Sequence, residues 1–239
     1  MARLSPALLR SRLAFDFQVV QGLRSDCLGP IMPFVSDQTL RAGSVATPAQ
    51  GAAGLVRLYM VEYRFPILVG EGKTTPMVKV KFDLLAGANY PFSRPSVTCI
   101  GAPLPWSPHV QPGSGVVCLG EGWELAQGHM LAGQLIVHVM HLFNCDEPDR
   151  ERGYGGWNPP AVRYWRTVLK TRPLNPDLRY PVLPADITHA VDEPSSAFLP
   201  VADLSPVLET PLFDPVPMEP AFLALDRDES GEEFRPLRW

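Results

Sequence analysis

Little in these 239 residues is repeated, strongly charged or apolar over a long run. No uninterrupted apolar stretch approaches the roughly 18 residues a membrane helix needs. The N-terminal ARLSPALLRSRLAF carries arginines where a signal peptide keeps an apolar centre. A cytoplasmic protein with no membrane segment is therefore expected. The absence of a fixed repeat period excludes solenoids and propellers. Cys27, Cys99, Cys118 and Cys145 lack the short paired spacing of zinc or redox sites, so free thiols in a reducing compartment are expected, with no metal and no cofactor. Lysine is scarce, four residues against 17 arginines, a skew that a GC-rich genome accounts for. The basic excess is slight and no base-stacking motif accompanies it, which argues against nucleic acid as a partner.

Composition divides the chain. Residues 1–170 carry 16 basic and 12 acidic side chains (net +4), whereas residues 171–239 carry 5 and 13 (net −8), together with 12 of the 27 prolines and no lysine. Proline at that density excludes long helices and central strands. Phe198, Leu199, Phe213, Phe222 and Leu223 are nonetheless more apolar than a solvated linker requires. A domain over 1–170 is expected, followed by a Pro-rich acidic extension over 171–239 that is either a disordered tail or a strap docked on this domain or on a partner.

Within the first region, Ser5-Pro6 has the form of an N-cap with proline at the first helical position. Leu9, Leu13, Phe17, Val20 and Leu23 then recur at helical spacing. Residues 29–54 read as loop. LVRLYMVEYRFPILV (55–69) and PMVKVKFDLL (76–85) read as a hairpin of long strands, and PSVTCIG (95–101) as a third strand, so Cys99 is expected in the core. The Gly- and Pro-rich stretch from Ala102 to Trp123 is longer than most connections in a compact domain, and such loops often carry function. Helical spacing returns from Met130 to Phe143, and Asn158-Pro159 starts a further helix. The order gives an α+β fold with its strands grouped: N-terminal helix, antiparallel meander sheet, irregular loop holding Cys118, C-terminal helices.

Several stretches are motifs as they stand: Tyr90-Pro91-Phe92 with Pro95, then Pro108-His109-Val110, then Gly115-x-x-Cys118-Leu119, then Trp123, and finally Asn158-Pro159 with Ala161 and Tyr164. In this order they resemble the ubiquitin-conjugating enzymes over roughly residues 55–170. The resemblance implies that Cys118 accepts a ubiquitin-like protein as a thioester from an activating enzyme and passes it to an amine of a target protein. It also implies an acidic residue orienting the incoming amine, for which Asp146 and Asp149 are candidates, and basic residues of the first helix docking the activating enzyme, for which Arg3, Arg10 and Arg12 are candidates. The chain departs from the family in carrying His109 where an asparagine is usual, Ser107-Pro108 before it, an early Trp123, and an insertion over 147–157. In these departures it resembles divergent bacterial members found in antiphage defence systems.

The residues themselves support carrier chemistry. A thiol with a pKa of about 8.5 is a few per cent thiolate at neutral pH and strongly nucleophilic, so a thioester carrier needs an accessible sulfur more than a strong base. His109 is expected to donate a hydrogen bond to the oxyanion, to act as a base, or only to hold the loop. Gln134, His138, His141 and Cys145 share a stripe that reads as the exposed polar face of a core-packed helix rather than a metal site. An alternative is an inert member of the same fold that binds a ubiquitin-like protein or an assembly partner; retention of Cys118 argues against it. A Cys118–His109 hydrolase is disfavoured because no Gly-flanked helix start follows the cysteine.

Overall fold

The computed structural model describes residues 4–46, 52–87, 89–120, 123, 126, 128–146, 156–170 and 172–183. All of these lie in the first of two units, Met1–Glu193. The expected features at Arg3, Asp149, most of 147–157, and 184–239 lie outside the described residues.

Helix α1 (Pro6–Gly22) starts as its sequence dictates: the Ser5 side chain accepts from the Leu8 amide and Pro6 occupies a position whose N–H would have no partner. Leu13, Phe17, Val20 and Leu23 are buried, with Leu9 packed at the edge. The expected loop 29–54 instead contains strand β1 (Met32–Phe34) and a short helix α2 (Asp37–Arg41), then a 3-10 turn at Ala52–Leu55. Three residues including Pro33 are too few to show alternation. Proline is tolerated there because β1 is an edge strand.

The long strand expected over 55–69 is broken. Strand β2 (Leu58–Tyr63) ends before Pro66, which has no N–H for a ladder, and the chain resumes as β3 (Ile67–Gly70), which pairs with β4 (Lys73–Thr75) in a separate two-stranded sheet. Strand β2 pairs antiparallel with β5 (Val78–Asp83), and β5 with β6 (Ser96–Ile100), giving the order β1-β2-β5-β6 among the described residues. Cross-strand pairs Tyr59↔Phe82, Val61↔Val80 and Tyr63↔Val78 place the buried side chains on one face, while Lys79 and Lys81 point away. Cys99 is in this core, and burial pushes its thiol up to about 12.

Helix α3 (Ala132–Asn144) covers the core face: the buried Tyr63 hydroxyl donates to the Ile136 carbonyl at 2.9 Å, and its ring meets Phe143 edge-on. Leu135, Ile136, Val139 and Leu142 are buried here, each worth about 1.5–3 kcal/mol. A Cβ at Gly133 would stand 2.6 Å from Val19, so this glycine allows α1 to approach α3 closely. The expected exposed stripe holds for Gln134, whereas His138 and His141 are half-buried and Cys145 is buried in a left-handed cap with φ 56°. Helix α4 (Pro159–Thr167) is capped by Asn158, whose side chain accepts from the Ala161 amide, and buries Ala161, Val162 and Trp165.

The boundary expected at 170 falls inside this unit. Leu174 N donates to the Asn144 carbonyl at 2.8 Å, and Asn175 N to Asn144 Oδ1 at 2.7 Å. Asn144 Nδ2 returns a bond to the Asn175 carbonyl at 3.1 Å. Tyr180 stacks on His141 at 3.7 Å and donates to Asp146 at 3.1 Å, and Leu178 and Leu183 pack on the core. The start of the extension is thus a strap on the domain, fastened at the end of α3. The α+β order of helix, antiparallel sheet and C-terminal helices is as read from the sequence.

Candidate functional site

Cys118 lies on a small hairpin added to the free edge of β6. Cys99 N donates to the Gly115 carbonyl at 2.8 Å and Val117 N to the Val97 carbonyl at 2.9 Å, so residues 115–117 run antiparallel to β6. The chain segment before the turn then pairs with this arm: Gln111 N donates to the Val116 carbonyl at 2.9 Å, and Cys118 N to the His109 carbonyl at 2.7 Å. Gly115 is required at the turn, since its φ is +70° and a Cβ would meet the Cys99 carbonyl at 2.9 Å.

This register sets His109 across from Cys118, joined by the backbone bond from Cys118 N to the His109 carbonyl. Val110 and Val117, directly opposed in the same ladder, are buried in the core.

The sulfur is not open in the way the sequence suggested. Cys118 is 8% exposed and His109 6%. Its cover differs from that of Cys99, however, because Cys118 Sγ accepts from Arg94 Nη2 at 3.5 Å, and Arg94 is an exposed residue. One wall of the sulfur's surroundings is thus a surface side chain. A guanidinium there favours the thiolate, in opposition to burial, which favours the thiol.

The surrounding backbone is fastened on both sides. His138 Nε2 donates to the Leu119 carbonyl at 2.7 Å, holding the residue after the cysteine to α3. Ser107 Oγ donates to the Leu142 carbonyl at 3.2 Å and accepts from His109 N at 3.3 Å, while Trp157 N donates to the Pro108 carbonyl at 2.9 Å. Arg94 is not singled out by the sequence pattern, and His138, expected on an exposed polar face, instead turns to the cysteine loop. Arg94 stands inside the Tyr90–Pro95 motif, and His138 interrupts an apolar helix; those positions were the available signals.

The segment carrying Arg94 is anchored by a buried polar knot. Asp16, fully buried, accepts from Arg12 Nε at 3.0 Å, from the Tyr90 hydroxyl at 2.7 Å and from the Ala132 amide at 2.8 Å. Burial pushes the Asp16 carboxyl up, while Arg12, the Ala132 amide and Tyr90 pull it down, the net direction being upward. The Ala132 bond also satisfies the first turn of α3, which has no side-chain cap from Leu131. Arg12 donates further to the Gly128 and Met130 carbonyls at 3.0 and 2.7 Å. Its side chain is only 16% exposed. Arg12 is thus committed to internal bonds, which corrects its expected placement on a docking face, whereas Arg10 is exposed.

Asp146 accepts from Tyr180 and lies 3.5 Å from His141 Nδ1, so it serves the strap at the end of α3. Asp149 and Arg3 lie outside the described residues. Among the described residues no group of three or more His, Cys, Asp or Glu side chains is placed to hold a metal, and no helix is long and apolar enough to cross a membrane. What converges is a nucleophile, a cation on its sulfur and an imidazole across the ladder. The chain matches no protein-family model and no curated protein.

Proposed function

We propose that this chain is a carrier of the ubiquitin-conjugating kind, with a fold of that type, working in the cytoplasm without cofactor or metal. The observation that carries the reading is the hairpin register: the Gly115-x-x-Cys118 arm faces the Pro108-His109-Val110 arm, which sets His109 opposite Cys118. Two motifs far weaker alone become one site.

In the proposed reaction the Cys118 thiolate attacks the thioester carbonyl held by an activating enzyme. The new S–C bond forms, the donor's S–C bond breaks, and the donor cysteine leaves as a thiolate. An amine of the target protein then attacks the carrier thioester, gives up a proton, and expels the Cys118 thiolate. His109 serves the second step by donating to the oxyanion or by taking the amine's proton. Arg10, exposed on α1, suits docking of an activating enzyme, with opposite charge speeding encounter.

Incubation with an activating enzyme, a ubiquitin-like protein and ATP, followed by a non-reducing gel, tests the proposal. A reductant-sensitive adduct lost in Cys118→Ala is expected. The 8% exposure of Cys118 favours the alternative, an inert binder of a ubiquitin-like protein or assembly partner, and binding without any adduct would select it.

A further inference from the structure

We infer that Arg94 is both the charge partner of the Cys118 sulfur and its movable cover, an assignment that rests on the carrier reading for its part in acyl transfer. Arg94 lies four residues beyond Tyr90, whose hydroxyl is tied to the buried Asp16, so the backbone at the base of the segment is held while the arginine itself stands at the surface. Its guanidinium reaches the sulfur at 3.5 Å. An exposed four-bond side chain can rotate away at little cost, whereas the close-packed core residues flanking the cysteine in sequence, Val117 and Leu119, cannot.

Transfer changes the charge that Arg94 sees. In the attacking state the sulfur is the thiolate and the guanidinium donates to it. The electron pair of that anion becomes the new S–C bond, the donor's sulfur departs with the electrons of the broken S–C bond, and no proton is exchanged. The product sulfur is neutral, so Arg94 loses its anionic partner. Loading the carrier therefore loosens the cover, and the amine of the second step finds a more open thioester.

Other titratable groups lie near the cysteine in the fold or in the chain. His109 stands on the opposite arm, and His138 acts from α3 through the Leu119 carbonyl. Glu121 and Glu124 follow in sequence and lie outside the described residues. Comparing variants at Arg94 alone holds all of these constant.

Iodoacetamide alkylation of Cys118 against pH, read by mass spectrometry of its own peptide so that half-buried Cys27 does not contribute, tests both parts. Arg94→Met is expected to raise the pH midpoint by roughly one unit, at the low end of the range for an opposite charge because the guanidinium is exposed. Arg94→Ala is expected in addition to raise the limiting rate at high pH several-fold, because the cover is gone. Arg94→Lys should keep the midpoint near that of the parent. An unchanged midpoint in Arg94→Met overturns the charge partnership, and an unchanged limiting rate in Arg94→Ala overturns the cover. The assay needs no donor protein, so it separates the two readings: a shifted midpoint without any thioester removes the carrier function and leaves Arg94's role intact, and a thioester with no shift does the reverse.

Discussion

Removing the Asp16 carboxylate is the most severe single test of how the site is supported. In Asp16→Ala three donors lose their acceptor: Arg12 Nε, the Tyr90 hydroxyl and the Ala132 amide. Arg12 keeps two carbonyl partners, so its loss is moderate. The Tyr90 hydroxyl and the Ala132 amide are buried, and an unmet buried donor costs about 1–3 kcal/mol. Breaking a buried ion pair from one side costs about 3–5 kcal/mol, and that range is the expected total. In a domain of this size it corresponds to a fall in Tm of roughly 10 °C. Tyr90→Phe removes one bond and is expected to cost about 1 kcal/mol. The double variant Asp16→Leu/Arg12→Met removes both charges and should be much less destabilised than the sum of its single variants. Urea unfolding of the full chain measures these three variants together with the single variants Asp16→Leu and Arg12→Met. Additive single-variant costs, or a loss below about 1 kcal/mol in Asp16→Ala, would refute the reasoning that the carboxylate organises its three donors.

Two further outcomes follow from the geometry. His109→Ala is expected to slow single-turnover discharge of a preformed thioester to a free amine by about a hundredfold or more, with His109→Asn retaining most of the rate; an unchanged rate in His109→Ala leaves the histidine only a loop-holding part. Asn175→Ala removes the bonds from Asn175 Nδ2 to the Pro66 carbonyl and to Asn144 Oδ1, both at 2.9 Å. It should therefore speed proteolysis within 172–183 without changing cleavage elsewhere, and an identical digestion pattern would show that the backbone bonds and the apolar residues hold the strap without this side chain.

What was legible in the sequence is what local chemistry decides. Ser5-Pro6 and Asn158-Pro159 announced their helices because caps act within one turn. Val78, Val80 and Phe82 announced β5 because alternation marks a strand with one buried face. The features that escaped depend on partners distant in the chain. Met32–Phe34 becomes a strand only through pairing with β2, and Arg12 turns inward only because Asp16 is held by Ala132 and Tyr90. The same limit applies to the site: spacing placed His109 and Cys118 in one loop, but their opposition is a matter of register. The near-closure of the sulfur under Arg94, and the use of Asn144 to fasten residues 174–180, are tertiary facts with no local signature.

The central claim is that the Cys118 sulfur carries an acyl group, and replacing that one atom tests it most directly. Cys118→Ser, charged with an activating enzyme, a ubiquitin-like protein and ATP, is expected to trap an oxygen ester at residue 118. That adduct should resist reductant and yield to mild base, whereas the parent's adduct yields to reductant. An adduct in the parent that maps to Cys27, or that persists unchanged in chemistry when Cys118 is replaced, would contradict the account.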